Sequence, residues 1–167
     1  MKRLTILMTV LMATSGWAYN ETDLMKFKAI NECYSCDLTG ADLSGADLFK
    51  AELDNVNLSG ANLSEANLTG ANLRKANLAG ANLSGADLTS ATLFQANLTG
   101  IDFRGANISK AFLKGANLTG VDLTGANLSE ADFAIANLTN ADLRNANLSE
   151  VIYCNTTMPW AVLNDGC

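Results

Sequence analysis

From residue 36 to residue 155 the chain repeats one pattern of apolar and polar positions every five residues. A large apolar residue stands at every fifth position from Leu38 to Tyr153, 24 in all. Twenty of these centres are Leu, and the others are Phe103, Ile108, Phe133 and Tyr153. Two residues before each centre stands a smaller one, Ala in 19 units, with Cys36, Val56, Ile101, Val121 and Val151 as the exceptions. Between the two lies Asn or Asp in 20 units. A period of five matches neither a helix nor a plain strand. Taken in pieces it is legible. The triplet Ala-Asn-Leu reads in-out-in, a short extended segment. The next pair, such as Ser84-Gly85, is made of turn formers, and glycine accepts positive φ at no steric cost. The turn restores the phase, so the next Ala points inward again. A chain that bends every five residues coils into a tube whose coils stack roughly 4.8 Å apart by backbone hydrogen bonds. Inside, small Ala alternates with large Leu and fills a narrow lumen. Outward positions such as Asn97 read as solvated and open to replacement by Ser.

Units such as Ala61-Asn62-Leu63-Ser64-Glu65, Ala66-Asn67-Leu68-Thr69-Gly70 and Ala86-Asp87-Leu88-Thr89-Ser90 resemble the pentapeptide-repeat family, with its pattern A-(D/N)-L-x-x. The resemblance covers residues 36–155 without a gap. It implies an all-β chain folded as a right-handed quadrilateral parallel β-helix, a β-solenoid with four units per coil. The repeats then make about six coils, a rod of about 25–30 Å at sheet spacing. On that geometry Phe112 and Ile152 put apolar side chains where Asn or Asp belongs, and Phe49 and Phe94 do so one residue after a centre. All four are expected to face outward. Phe94, Phe112 and Ile152 fall on one side of the tube, the side carrying Leu53, Leu73, Leu93, Leu113, Phe133 and Tyr153. They form the candidate interaction patch, because exposed aromatics recur at binding hot spots.

The chain divides into four parts. Residues 1–18 read as a signal peptide: basic Lys2 and Arg3, an apolar run from Leu4 to Thr14, and small Gly16 and Ala18 before a cut that leaves Tyr19 first. The run is far short of the ~20 residues that span a bilayer, and no later segment is apolar enough to do so. The protein is therefore expected to be exported, to a periplasmic or extracellular space, with no membrane insertion after cleavage. Residues 19–35 form an N-terminal cap with a short helix, Asn20 as its N-cap and Leu24, Phe27 and Ile30 on one face. The solenoid follows at 36–155. Residues 156–167 form a C-terminal cap, in which Met158, Trp160, Val162 and Leu163 are expected to close the last coil and Pro159 marks where coiling has ended.

Cys33, Cys36, Cys154 and Cys167 lie two at each end, and four cysteines allow three connectivities. On the rod implied by the resemblance the ends stand some 25 Å apart, far beyond the roughly 7 Å that a disulfide tolerates between Cα atoms. Cys33–Cys36 and Cys154–Cys167 are the pairs that remain. The flanks of both pairs are also similar to those of exported members of the family.

Charge and chemistry narrow the function. Without Lys2 and Arg3 the chain carries 9 basic and 17 acidic residues, which disfavours nucleic acid and anionic membranes as partners. It has no His, so the commonest general base is missing. Asp102, Asp122 and Asp142 are expected in one column, with Arg104 and Arg144 two residues along. A flat column offers fewer oxygens than a calcium cage needs. No catalytic, cofactor-binding or metal-binding set emerges, and no cofactor is expected. The reading is a non-enzymatic structural or protein-binding scaffold, with an unidentified protein partner or self-association. Two alternatives stand beside it. One is a nucleic-acid mimic that binds a DNA-handling protein, as some cytosolic members of the family do with DNA gyrase, if the chain is not exported. The other is an ice- or surface-binding face built on the Asn and Thr columns around Asn97, Asn117 and Asn137.

Overall fold

The five backbone N–H groups of one repeat explain its sequence. In the unit Ala96–Gly100, Ala96 N–H donates to Leu93 O across the turn at 3.0 Å, and Asn97 N–H donates to Ala76 O on the preceding coil at 2.9 Å. Leu98 and Gly100 donate forward to Asn117 O and Thr119 O, at 2.8 and 3.1 Å. The fifth, Thr99 N–H, points at no neighbouring carbonyl and is taken by the Asn97 side chain, whose Oδ1 lies at 3.3 Å. A short side chain with an acceptor oxygen two residues upstream is what an Asx turn requires. Hence the repeat asks for Asn or Asp there. Every donor of the unit is thereby satisfied within the protein.

The computed structural model describes residues 20–163 and 167; the expected signal peptide lies outside them, as do residues 164–166 of the expected C-terminal cap. Parallel bridges join each residue of the outward position to the one 20 residues later, from Glu32↔Glu52 to Asn137↔Thr157. Twenty residues are four units, so each turn of the right-handed quadrilateral β-helix has four faces. In chain order the first carries Leu93 and Leu113, the second Leu98 and Leu118, the third Phe103 and Leu123, the fourth Ile108 and Leu128. The ladder starts at Glu32, one unit before the first recognisable repeat. Inward positions are buried almost completely along the shaft; Leu98, Phe103, Ile108 and Leu113 are all at or below 1% exposure. The turn residue takes positive φ whether it is Gly85 (67°) or Lys75 (55°).

Helix α1 (Glu21–Ile30) closes the N-terminal end. Asn20 caps it, with Oδ1 accepting from Thr22 and Asp23 N–H. The helix is tied to the first coil twice: Asn20 N–H donates to Asp37 O, and Asp23 Oδ2 accepts from Asp37 N–H, both at 3.0 Å. Phe27 plugs the lumen and Leu24 is half-buried, but Ile30 is exposed. Ile30 is the last helical residue, immediately before left-handed Asn31 turns the chain into the first rung. At the other end Met158 is buried, and Thr156 occupies an inward position with its hydroxyl donating to Phe133 O at 2.7 Å. Trp160 and Val162 do not close the last coil as expected; both are about 60% exposed. The reason is a hairpin. Strand β1 (Thr156–Thr157) pairs antiparallel with β2 (Val162–Leu163), so only the first arm stacks on the coil above. Disulfides join Cys33 to Cys36 and Cys154 to Cys167, with Cα separations of 5.4 and 5.0 Å.

Candidate interaction face

The Asx bond separates the four faces. In all 20 units with Asn or Asp, the side-chain oxygen accepts from the N–H two residues on; Asp37 to Thr39, Asn77 to Ala79, Asp122 to Thr124 and Asn147 to Ser149 show the range. Four units lack that residue: Glu52, Thr92, Phe112 and Ile152. All four stand in one column, bridged through Asn72 and Asp132, on the first face. Correspondingly, the N–H groups of Asp54, Phe94, Lys114 and Cys154 find no acceptor among the described residues. The other three faces keep the bond throughout.

The three residues singled out in the sequence share this face. Phe112 and Ile152 are 52% and 44% exposed. Phe94 is only half-buried rather than fully outward, because the Arg74 guanidinium lies over its ring at 5.0 Å. Phe94 and Phe112 sit on adjacent rungs, since Thr92 bridges to Phe112 and Leu93 N–H donates to Phe112 O. Ile152 is two rungs beyond Phe112, with Asp132 between them. Ile135, at the corner between the first and second faces, was not anticipated. It is 58% exposed and takes φ 60°, a region that a β-branched side chain strongly resists. The signal was present, because Ile135 is the one apolar residue at a turn position that holds Gly or a polar residue in every other unit. Phe49 lies at the corner between the fourth and first faces, 49% exposed, with Lys50 Nζ 5.1 Å from its ring.

The other faces are committed to their own ladders. On the second face, Asn77 and Asn97 each donate to the Asn one coil earlier, at 3.1 and 3.0 Å. Thr99 and Thr119 hydroxyls donate to their own Asn at 2.7 Å and accept from Asn117 and Asn137 at 3.0 and 3.1 Å. On the third face Asp102, Asp122 and Asp142 do stack in one column. Arg104 grips Asp102 through two nitrogens, at 2.9 and 2.6 Å, and Arg144 grips Asp142 in the same way. The Arg104 hydrogen bond holds the Asp102 carboxyl below its ordinary range, and Arg144 does the same for Asp142. Among the described residues no three Asp, Glu or Cys side chains converge as a metal site would require.

This architecture is that of a β-solenoid scaffold with regular faces. The model for pentapeptide repeats matches it in eight copies, over residues 33–64, 51–89, 86–125, 96–134 and 116–152, and the chain belongs to that family. No curated protein matches it. Among solved structures it is similar to a pentapeptide repeat protein of the cyanobacterium Cyanothece, at 26% identity and TM-score 0.52, covering 83% of this chain and 98% of that one. It is also similar to a pentapeptide repeat protein of the Arabidopsis thaliana thylakoid lumen, at 25% identity and TM-score 0.51 over 52% of this chain; it spans 61% of that protein. A pentapeptide repeat protein involved in heterocyst differentiation regulation in Nostoc is 32% identical, with TM-score 0.42, over 81% of this chain and 73% of that one.

Proposed function

We propose that the protein is a non-enzymatic, exported scaffold whose first face captures a protein partner. One observation carries the reading: the Asx bond is given up only on that face, and there Phe112 and Ile152 are exposed in its place. In all other units the residue between the two inward positions is polar; a repeat so built gains no core from Phe112 and Ile152, whereas a partner would bury them. Export is supported by the leader-like residues 1–18 and by a disulfide at each end, which an oxidising compartment sustains. The thylakoid-lumen relative is itself outside the cytosol. The alternatives draw less support. A nucleic-acid mimic needs unneutralised acids in a column, and Arg104 and Arg144 occupy that column. An ice-binding face needs hydroxyls free to order water, and those of Thr99 and Thr119 are engaged with Asn on both sides. The chain is expected to bind no nucleic acid.

The double change Phe94→Ser, Phe112→Asn tests the reading. It should leave circular dichroism unchanged and remove the partner that the mature protein captures from its native exported fraction. Retention of that partner by the double variant would move the interaction to another face. Mass spectrometry of secreted material should find Tyr19 at the N-terminus; an intact Met1 there would overturn cleavage.

A further inference from the structure

The first face also collects the positive charge of an acidic protein. The solenoid holds seven Lys and Arg between residues 36 and 155: Lys50, Arg74, Lys75, Arg104, Lys110, Lys114 and Arg144. Arg104 and Arg144 are on the third face, each locked to its own Asp. The other five are on the first face or its two corners. Lys110 pairs with Glu130 at 3.5 Å, and Arg74 reaches Asp54 only at 4.0 Å. Lys75 and Lys114 make no ion pair among the described residues, and both are exposed. They flank the aromatic pair by register: Lys75 N–H donates to Phe94 O, and Gln95 N–H donates to Lys114 O.

Three kinds of group therefore converge on three consecutive rungs. Arg74, Lys75 and Lys114 are cations. The N–H groups of Phe94 and Lys114 are donors without an internal acceptor. Phe94 and Phe112 are apolar. No acid stands at the outward positions of these rungs, which are Asn72, Thr92 and Gln95 beside the residues named. Acids bound the zone on both sides, Glu52 and Asp54 one rung before and Asp132 one rung after. From the Arg74 rung to the Lys114 rung is two sheet spacings, about 10 Å, and along an extended strand the side chains that share a face recur about every 6.6 Å.

We propose, resting on the reading of the first face as a protein-binding surface, that its partner presents a short acidic segment: two carboxylates bracketing an apolar residue at alternate positions, so that an extended strand turns all three toward the face. The carboxylates accept from the orphan N–H groups and pair with Lys75, Lys114 and Arg74, while the apolar residue covers Phe112. Hydrogen bonds to charged acceptors are the strong class, and these donors are fixed by the coil before the partner arrives. The acidic borders limit the length of anion accepted. A long polyanion such as nucleic acid would run onto Asp54 and Asp132, and three cations release too few counterions to offset that.

The test is an amide-shift titration of the ¹⁵N-labelled mature protein with the blocked peptide Gly-Glu-Gly-Phe-Gly-Glu-Gly at low salt. The Phe94 and Lys114 amides should shift most. The Lys75→Gln, Lys114→Gln variant should weaken binding at least tenfold, and Arg104→Gln, Arg144→Gln, the same charge change on the opposite face, should alter it less than twofold. Equal binding of the Gln-for-Glu peptide, shifts centred on another face, or a stronger response of the same amides to a single-stranded oligonucleotide would each overturn the proposal. So would concentration-dependent dimerisation, by sedimentation, that the Lys variant abolishes. The partner captured from the exported fraction separates this from the broader reading. If Phe94→Ser, Phe112→Asn loses it while the Lys variant keeps it at high salt, the acidic chemistry fails and the face stands. If neither variant loses it, both fail.

Discussion

Replacing Asn97 by Ala removes three hydrogen bonds at once. Oδ1 loses the Thr99 N–H at 3.3 Å and the Thr99 hydroxyl at 2.7 Å, and Nδ2 no longer donates to Asn77 Oδ1 at 3.0 Å. Each such bond contributes about 0.5–1.5 kcal/mol net, and an exposed site falls at the low end because water takes over part of the role. The expected loss is about 1–2 kcal/mol. In a chain of this length each kcal/mol shifts the melting midpoint by about 2–4 °C. Thr92→Ala is the matched control one face earlier, since Thr92 accepts no bond from the Phe94 N–H; it should stay within about 0.5 kcal/mol. Asn97→Asp, which keeps the acceptor but not the donor, should fall between them. Urea midpoints followed by circular dichroism give the ranking, and hydrogen exchange at the Thr99 amide gives the mechanism. That amide should exchange faster in Asn97→Ala than in the wild type. Unchanged protection at Thr99, or an equal cost for Thr92→Ala, would refute the claim that the side-chain ladder supports the coil.

Three further expectations follow from the same geometry. Leu98→Asp would bury an unpaired carboxylate in mid-shaft and should abolish the β signal or lower the melting temperature sharply; a wild-type melt would show that Leu98 does not face the lumen. Peptide mapping under non-reducing conditions should link Cys33 to Cys36 and Cys154 to Cys167, and a Cys36–Cys154 link would contradict the rod. Asp102 and Asp142 have their pKa values lowered by Arg104 and Arg144, so their stabilisation is complete above the unfolded value of about 3.9 and is withdrawn as pH falls through the lower folded values. The difference in urea midpoint between wild type and Arg104→Gln, Arg144→Gln should therefore be larger at pH 6 than at pH 3, and an equal difference at both would sink the assignment.

The tube was legible because its period is carried by side-chain size. Small-then-large apolar residues at fixed spacing leave one way to hide them all, and Leu38 through Leu138 are buried accordingly. The ends were legible only in part. Phe27 and Met158 fill the lumen, but hydrophobicity alone also points Ile30, Trp160 and Val162 inward, and it says nothing of a helix ending or a hairpin turning away. From the sequence alone the outward Asn reads only as solvated. Its polarity was visible in the sequence, but its role as acceptor for the fifth N–H appears only when every donor of the unit is followed to its partner. For the same reason Phe94 and Phe112 could be noticed as apolar exceptions, while the orphan amides behind them could not. Charge was legible as a total and not as a place, since the cations gather on one face only once the register is known.

The register of 20 residues gives the sequence a second kind of grammar, one for changes of length. Five residues inserted after Gly100 would leave every in-out-in triplet intact and every Leu inside. Each later unit would nevertheless move one face round, carrying Phe112 and Lys114 from the first face to the second, away from Phe94 and Lys75. Twenty residues inserted at the same point would return Phe112 to the first face, one rung of about 4.8 Å further along. Duplications of a single repeat are thus silent for folding and disruptive for anything that recognises a face, whereas duplications of four lengthen the rod and spare its address.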